Sequence, residues 1–494
     1  METLQSLVKI ISLRKLSKVE ILDKSLISSK DSVLSKFYYG IVNNSFQNDH
    51  EAIEFLYNIK NEENTKSYRQ LKARFKKRLL NTLFFIDVNN KDYETEVQRQ
   101  YFECTRSIQE INIIQKYGGN QHLVFAIISD LLPIAEKYEF YDILEVYYHK
   151  LITYYSVGGN CKKIEEIIQR FNSYRNAKNE TDNSYILFSE INCFFAANAK
   201  FDEVHYNELK ENLEKQTPFV NTYLSICYNS LSWILILEHE KKTNALNNEC
   251  DKLLAHLETK DNAFRQSFKG IVNMYKINTL LQIRELGKGI EYIDQNLHNL
   301  FGINWYEAMA TKLRFALNQH NFILSKEIIK EVYSQKAFKS LPSNIIEKWY
   351  ILEGYTAFFE DYITGGNYNY KVAKLINQVP YYYHDKSGFN FSIIILQLLF
   401  SIAKNDIDQC SQIVQSLKIY KSRYFKSDIH VREVEFIKSL FILDKCGFNI
   451  NKLNILYKNF SYKVSLDAKI MEHEIICYDL LITIILDLIQ PKIK

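Results

Sequence analysis

The chain has 494 residues, of which only 14 are glycine and 5 proline, against 35 tyrosines and 31 phenylalanines. So little glycine excludes phosphate-cradling dinucleotide folds and many-turned β-sandwiches, and ordinary apolar and charged fractions of 47% and 24% exclude wholesale disorder. A net charge of +4 is too small for this length to drive binding to nucleic acid or anionic lipid by overall electrostatics.

Met1–Leu7 carries an acid at position 2 and no apolar core, which predicts an amphipathic helix rather than a signal peptide. Residues 1–90 hold 15 Lys/Arg against 10 Asp/Glu, so the positive excess sits at this end. With the polar runs at Asn43-Asn44-Ser45 and Asn61–Thr65, this predicts a helical cap over 1–90 ahead of an array over 91–494. The cap holds the most concentrated local feature, the basic residues Lys66, Arg69, Lys72, Arg74, Lys76, Lys77 and Arg78, with no acid from Thr65 to Ile86. On a helix Tyr68, Leu71, Phe75, Leu79 and Leu83 line one face, and Arg69, Lys72 and Lys76 form a row on its flank. Two readings fit: a surface for phosphates or an acidic partner, weakened by salt, or a solvated helix face paired with Glu62 and Glu63.

Beyond about residue 100, apolar residues recur at i, i+3, i+4 and i+7, as in Phe140–Tyr155, and two-residue alternation is almost absent. The segments are punctuated by polar breaks. Gly-Gly-Asn occurs at 118–120, 158–160 and 365–367, where glycine suits the left-handed end of one helix and asparagine the cap of the next. Similar breaks fall at Lys200-Phe201-Asp202, Lys241-Lys242-Thr243, Gly287-Lys288-Gly289, Gln319-His320-Asn321, Lys404-Asn405-Asp406 and Cys446-Gly447, a degenerate period of about 41 residues. Longer aromatic helices precede short amphipathic ones such as Cys161–Ile168 and Ile323–Ile329. The expected fold is all-α, a right-handed α-solenoid of antiparallel helix pairs. The apolar runs at 216–237, 387–403 and 475–490 are read as buried helices, not membrane spans.

Ser401–Asp406 with its following helix, and Ala316–Asn321, resemble the end of the first helix, the turn and the second helix of a tetratricopeptide-like (TPR-like) repeat. The chain departs from that family in its period, about 41 rather than about 34, and in lacking the Trp-x-x-Leu-Gly-x-x-Tyr signature. The stretches 13–38 and 68–87 are also similar to the start of bacterial helical-repeat families without an assigned activity. The resemblance implies an intracellular bacterial interaction protein with no catalytic residues to transfer.

Tyr141, Tyr148 and Tyr155 are spaced by seven, and Tyr381, Tyr382 and Tyr383 follow Pro380 in an expected loop. Phenols bury area while keeping a polar tip, so Tyr148, Tyr155 and Tyr381–Tyr383 are candidate partner contacts beside the basic helix; the alternative is packing between repeats. The interleaved run Lys418–Lys426 admits the same two readings. The eight cysteines include no C-x-x-C pair, and most lie in apolar patterns such as that around Cys193, which suits reduced thiols in the cytoplasm. Glu238-His239-Glu240 and Glu472-His473-Glu474 lack metal-ligand spacing on a helix, and hydrolase and nucleotide motifs are missing. The expected function is a non-enzymatic cytoplasmic scaffold for protein or peptide partners, without cofactor or metal. The alternative is a nucleic-acid-associated or regulatory subunit acting through residues 66–78.

Overall fold

A computed structural model of the chain describes residues 32–43, 45–58, 62–83, 95–117, 121–197, 202–262, 264–380, 388–425, 430–456 and 468–490. Among the described residues every regular element is a helix. The chain divides into two compact units, Met1–Asn179 and Glu180–Lys494. The expected boundary near residue 90, the start of the amphipathic N-terminus, Gly118-Gly119-Asn120 and Tyr381–Tyr383 lie outside the described residues.

The first unit opens with α1 (Val33–Val42), α2 (Asp49–Tyr57) and α3 (Glu62–Leu83). Ser32 and Asn48 cap α1 and α2 through side-chain oxygens. The three helices share a small core of Phe37, Ala52, Ile53, Tyr68 and Phe75, so the apolar stripe read along 68–75 faces inward. Next come α4 (Glu96–Lys116), α5 (Gln121–Lys137) and α6 (Tyr141–Val157), each packed on the next. Thr95 and Gln98 form a reciprocal cap on α4. At the second Gly-Gly-Asn, Gly159 takes a φ of 65° and the Asn160 side chain accepts from the Lys163 amide, as expected of a tight turn. Helix α7 (Cys161–Ala196) follows, and the division between units falls within it.

The second unit continues with α8 (Glu203–Gln216), α9 (Tyr223–His239), α10 (Thr243–Leu257), α11 (Arg265–Gln282), α12 (Leu286–Asn296), α13 (Ile303–Asn318) and α14 (Phe322–Ser334). It ends with α15 (Ser343–Thr364), α16 (Val372–Gln378), α17 (Phe389–Ala403), α18 (Ile407–Tyr424), α19 (Val431–Lys445), α20 (Ile450–Leu456) and α21 (Tyr478–Leu488). Neighbours in sequence pack on one another from α9 to α19, and the odd-numbered helices α9, α11, α13, α15 and α17 also touch in succession.

That arrangement fixes which helices are buried. Residues 308–318 of α13 are buried on every side, whereas α14 buries only Ser325, Ile328 and Val332. One large core, with Trp349, Phe358, Phe391 and Phe436 shielded from water, runs from α13 to α21.

The turns use fewer glycines than the sequence suggested. Lys241, Arg284, His320 and Asn405 occupy the left-handed region at successive turns, joined by Gly365 and Gly447. Two expectations are corrected. Gly287-Lys288-Gly289 lies inside α12, and the turn is made by Arg284; Gly289 is buried because the Phe315 ring packs where a Cβ would sit. Cys193 is exposed, as is Cys161, whereas the other six cysteines are buried, and none is bridged. Among the described residues no helix is long and apolar enough to cross a membrane.

Gly289→Ala would place its Cβ 2.4 Å from the fully buried Phe315 ring. The expected cost is about 1–3 kcal/mol of overpacking strain. A chemical denaturation series would read it as a lower midpoint at unchanged slope.

Candidate functional site

The basic helix α3 turns its apolar residues inward and its cations outward. Tyr68 and Phe75 are buried, while Lys66, Arg69, Lys72, Arg74, Lys76 and Lys77 are exposed and Arg78 is half-buried. Lys72 pairs with Asp49 of α2 at 2.6 Å, and the Tyr68 hydroxyl donates to the same carboxylate at 2.8 Å. The Lys72 ammonium and the Tyr68 hydroxyl hold the Asp49 carboxyl below its ordinary value. Among the described residues Lys66, Arg69, Arg74 and Lys76 make no ion pair.

The tyrosines of α6 divide. Tyr148 is fully buried and donates its hydroxyl to Glu136; its neighbour Tyr147 is equally buried and bonds Ser107 of α4 at 2.6 Å. Tyr155 is half-buried, edge-on to Phe125 and Tyr154. Tyr147 thus packs α6 on α4, while Tyr148 and Tyr155 meet α5.

The most elaborate polar site of the second unit is one that pattern reading missed. Residues 468–477 are not helical; they form a strap across the long helices, followed by α21. Two of those helices hold it by its backbone. Gln282, the last residue of α11, accepts from the Ile470 amide and donates to its carbonyl, both at 2.8 Å. Asn318, the last residue of α13, accepts from the Cys477 amide at 2.8 Å and donates to the Ile475 carbonyl at 3.0 Å. Arg314 donates to the Met471 and Glu474 carbonyls at 3.0 and 2.9 Å, and Ser392 of α17 donates to that of His473. A non-helical segment inside a protein must have its amides and carbonyls paired; the strap turns so that the Glu474 and Ile475 amides bond back to the Met471 and His473 carbonyls, and the helix side chains take the remaining groups.

The strap's side chains reach separate helices. Glu472 meets Lys348 of α15, which also holds Glu307. His473 meets Glu433 of α19 at 3.0 Å. Glu474 receives a bidentate pair from Arg432, at 2.6 and 2.8 Å, with no solvent access to either side chain. At one end Lys469 pairs with Glu238 of α9 at 3.1 Å, and at the other Arg284 grips Asp479 bidentately at 2.5 and 2.7 Å. The triplet 472–474, expected on a helix, lies outside any helix, and its three side chains diverge all the same.

Burial pushes the Glu474 carboxyl up, against the pull of Arg432. Asp479 also feels burial, but the paired guanidinium groups of Arg284 and Arg432 outweigh it and hold the carboxyl low. Glu474, Cys477 and Asp479 bring potential ligand atoms within 4.8 Å of one another. Both carboxylates are already committed to arginines, and burial pushes the Cys477 thiol up to about 11, so this set fits an ion-pair network better than a cation.

A repeated signal lies in the sequence of the two clamping helices. Lys276–Gln282 and Lys312–Asn318 share a lysine, a leucine five residues on and a terminal amide, 36 residues apart. Each lysine pairs back to the preceding short helix, Lys276 with Asp251 at 2.6 Å and Lys312 with Asp294 at 2.5 Å. Each amide is thereby left about one and two-thirds turns away to hold the strap. Elsewhere, an open groove of about 580 Å³ lies by Thr217, Asn229, Trp233 and His256, but Asn229 and Trp233 both spend their donors on Thr217.

Comparison with family models, with curated proteins and with solved structures finds no match in any of the three.

Asn318→Ala would orphan a buried amide and a buried carbonyl of the strap. The expected loss is roughly 1–3 kcal/mol, with faster hydrogen exchange at the Cys477 amide; unchanged exchange there would contradict the clamp.

Acid should weaken the unit as well. Lys210, Lys242 and Tyr206 outweigh the burial of Glu240 and bring its carboxyl to about 2 from an ordinary 4.5, and Asp479 is lowered from 3.8. Such groups add stability that is complete above their unfolded values and is lost as pH falls through the folded ones. Glu474, raised, acts in the opposite sense. The melting temperature is expected to drop between pH 4.5 and about 2, less steeply in Glu240→Gln; a flat profile would contradict this.

Proposed function

We propose that the chain is a non-enzymatic binder of protein or peptide partners, a TPR-like right-handed α-solenoid of antiparallel helix pairs working in the cytoplasm. The repeat reading is supported by the succession of packed helices in the second unit, with alternate helices beginning at Tyr223, Arg265, Ile303, Ser343, Phe389 and Val431. The cytoplasmic reading is supported by eight unbridged cysteines.

One observation carries the binding function. The long helices α11 and α13 already hold a non-helical, turned stretch of polypeptide by paired contacts to its main chain, from side chains at equivalent places in a repeated motif. Contacts of this kind take a main chain with little regard to its side chains, so the face has the chemistry of a peptide receptor.

A second reading belongs to α3. The exposed cations Lys66, Arg69, Arg74 and Lys76 have no acidic partner among the described residues, which favours an anionic partner at that helix, a nucleic-acid backbone among them.

A pull-down at native expression level, split into nuclease-treated and untreated halves, separates the two. A defined protein partner that survives nuclease supports the scaffold; partners lost together with recovered nucleic acid shift the function to α3. In the second case the triple variant Lys66→Gln, Arg69→Gln, Lys76→Gln should abolish recovery. It should leave stability within about 0.5 kcal/mol, since exposed unpaired charges contribute little to folding.

A further inference from the structure

The outward face of α3 carries more than charge. At about 100° per residue, Lys66, Arg69, Ala73, Lys76, Lys77 and Leu80 line one side of the helix, opposite the buried Tyr68 and Phe75. From Lys66 to Lys77 that side spans about 16 Å. Leu80 stands exposed in the same line, and Leu79 is exposed beside it.

The acids of this module lie elsewhere. Asp49 is paired with Lys72, Glu51 accepts from the Gln47 amide and the Asn48 side chain, and Glu54 lies 3.6 Å from His50. All three belong to α2, and Glu63 precedes the basic run. The module is also apolar on its surface: Tyr39, Ile41 and Val42 of α1 and Phe55 of α2 are exposed, Val42 to 57%.

The apolar company of the cations restricts the anion. A duplex offers phosphates but no apolar phase for aliphatic side chains. Single strands are held by stacking on exposed rings, and both rings of α3, Tyr68 and Phe75, are buried. A bilayer surface offers both partners, anionic headgroups for the cations and the acyl boundary just beneath for leucine.

Resting on the reading of α3 as an anion-binding face, we propose that this face docks on an anionic lipid surface. Lys66, Arg69 and Lys76 meet the headgroups, and Leu79 and Leu80 dip between them. Attachment is peripheral, because the inward stripe of α3 stays in its core with Phe37 and Ile53 and only the outer side chains reach the bilayer.

The test is flotation of the full chain with phosphatidylcholine vesicles, with and without about one-third phosphatidylserine. The expected result is binding to the anionic vesicles alone, falling as salt rises. Lys66→Gln, Arg69→Gln and Lys76→Gln together should weaken it about a hundred-fold, at about five-fold per cation. Leu79→Ser with Leu80→Ser, at unchanged charge, should weaken it by about five-fold or more. Denaturation midpoints measured alongside keep unfolding from passing as lost binding. Equal binding to neutral vesicles, or binding that neither variant changes, overturns the proposal. Weakening by the cation variant alone overturns the leucine contact and with it the preference for a bilayer. Capture of a duplex or single-stranded oligonucleotide through the same cations, without vesicle binding, also overturns it but keeps α3 as an anion-binding face. Binding to neither vesicle nor oligonucleotide removes both.

Discussion

The guanidinium of Arg432 has no access to water, and the end of the second unit is arranged around that fact. A charge so placed needs a carboxylate in fixed geometry, and none of the residues flanking it on α19 provides the bidentate pairing. Glu474 does, from a segment that must cross the long helices to arrive there. Once Glu474 is fixed, the backbone on either side is committed to an interior without a strand beside it. Gln282, Arg314, Asn318 and Ser392 then become necessary rather than incidental. An apolar pair at positions 432 and 474 could equal the ion pair in stability. It could not select one register of the strap, whereas a two-pronged contact to Glu474, with Asp479 held beside it, can.

The same logic explains the contrast between helices. A long helix touched by its predecessor, its successor and the short helices between has no solvent face, so α13 is buried all round and its lysine and arginine must find partners inside. A short helix such as α14 has one face to bury and three buried residues suffice. Hydrophobic patterning therefore marks the short helices sharply and the long ones poorly.

The helical class and the position of most turns were legible because they depend on local chemistry: periodic apolar residues, and breaks at Lys241, His320, Asn405 and Gly447 where the chain does reverse. Reading glycine as the turn signal failed at 287–289, because the packing of Phe315, not the backbone, requires Gly289. Cys193 looked like a core residue from its apolar neighbours, yet α7 turns it outward. The basic row on α3 was legible as a face, but not the diversion of Lys72 to Asp49. The strap was illegible for a deeper reason: its partners lie 157 to 188 residues away for the two amides, and no local pattern encodes them. The trace that does exist, the shared Lys276–Gln282 and Lys312–Asn318 motif, sits inside helices, whereas the legible punctuation of the repeat lies in the breaks between them.

That trace also bears on how such a face could arise and be kept. In each copy the lysine is consumed by the preceding short helix and fixes the helix end, while the amide is free to bind whatever main chain lies across it. Holding the neighbouring helix and holding the strap are thus divided between two positions of one motif. Gln282 makes both of its bonds to one residue, Ile470, and Asn318 spans Ile475 to Cys477, so both amides act on the main chain and not on the strap's side chains. The side chains matter where charge is buried, at Arg432 and Lys348. The fold consequently holds the strap in two ways, by side-chain amides on its main chain and by buried cations on its carboxylates, so its position is fixed by geometry at one place and by charge at the other.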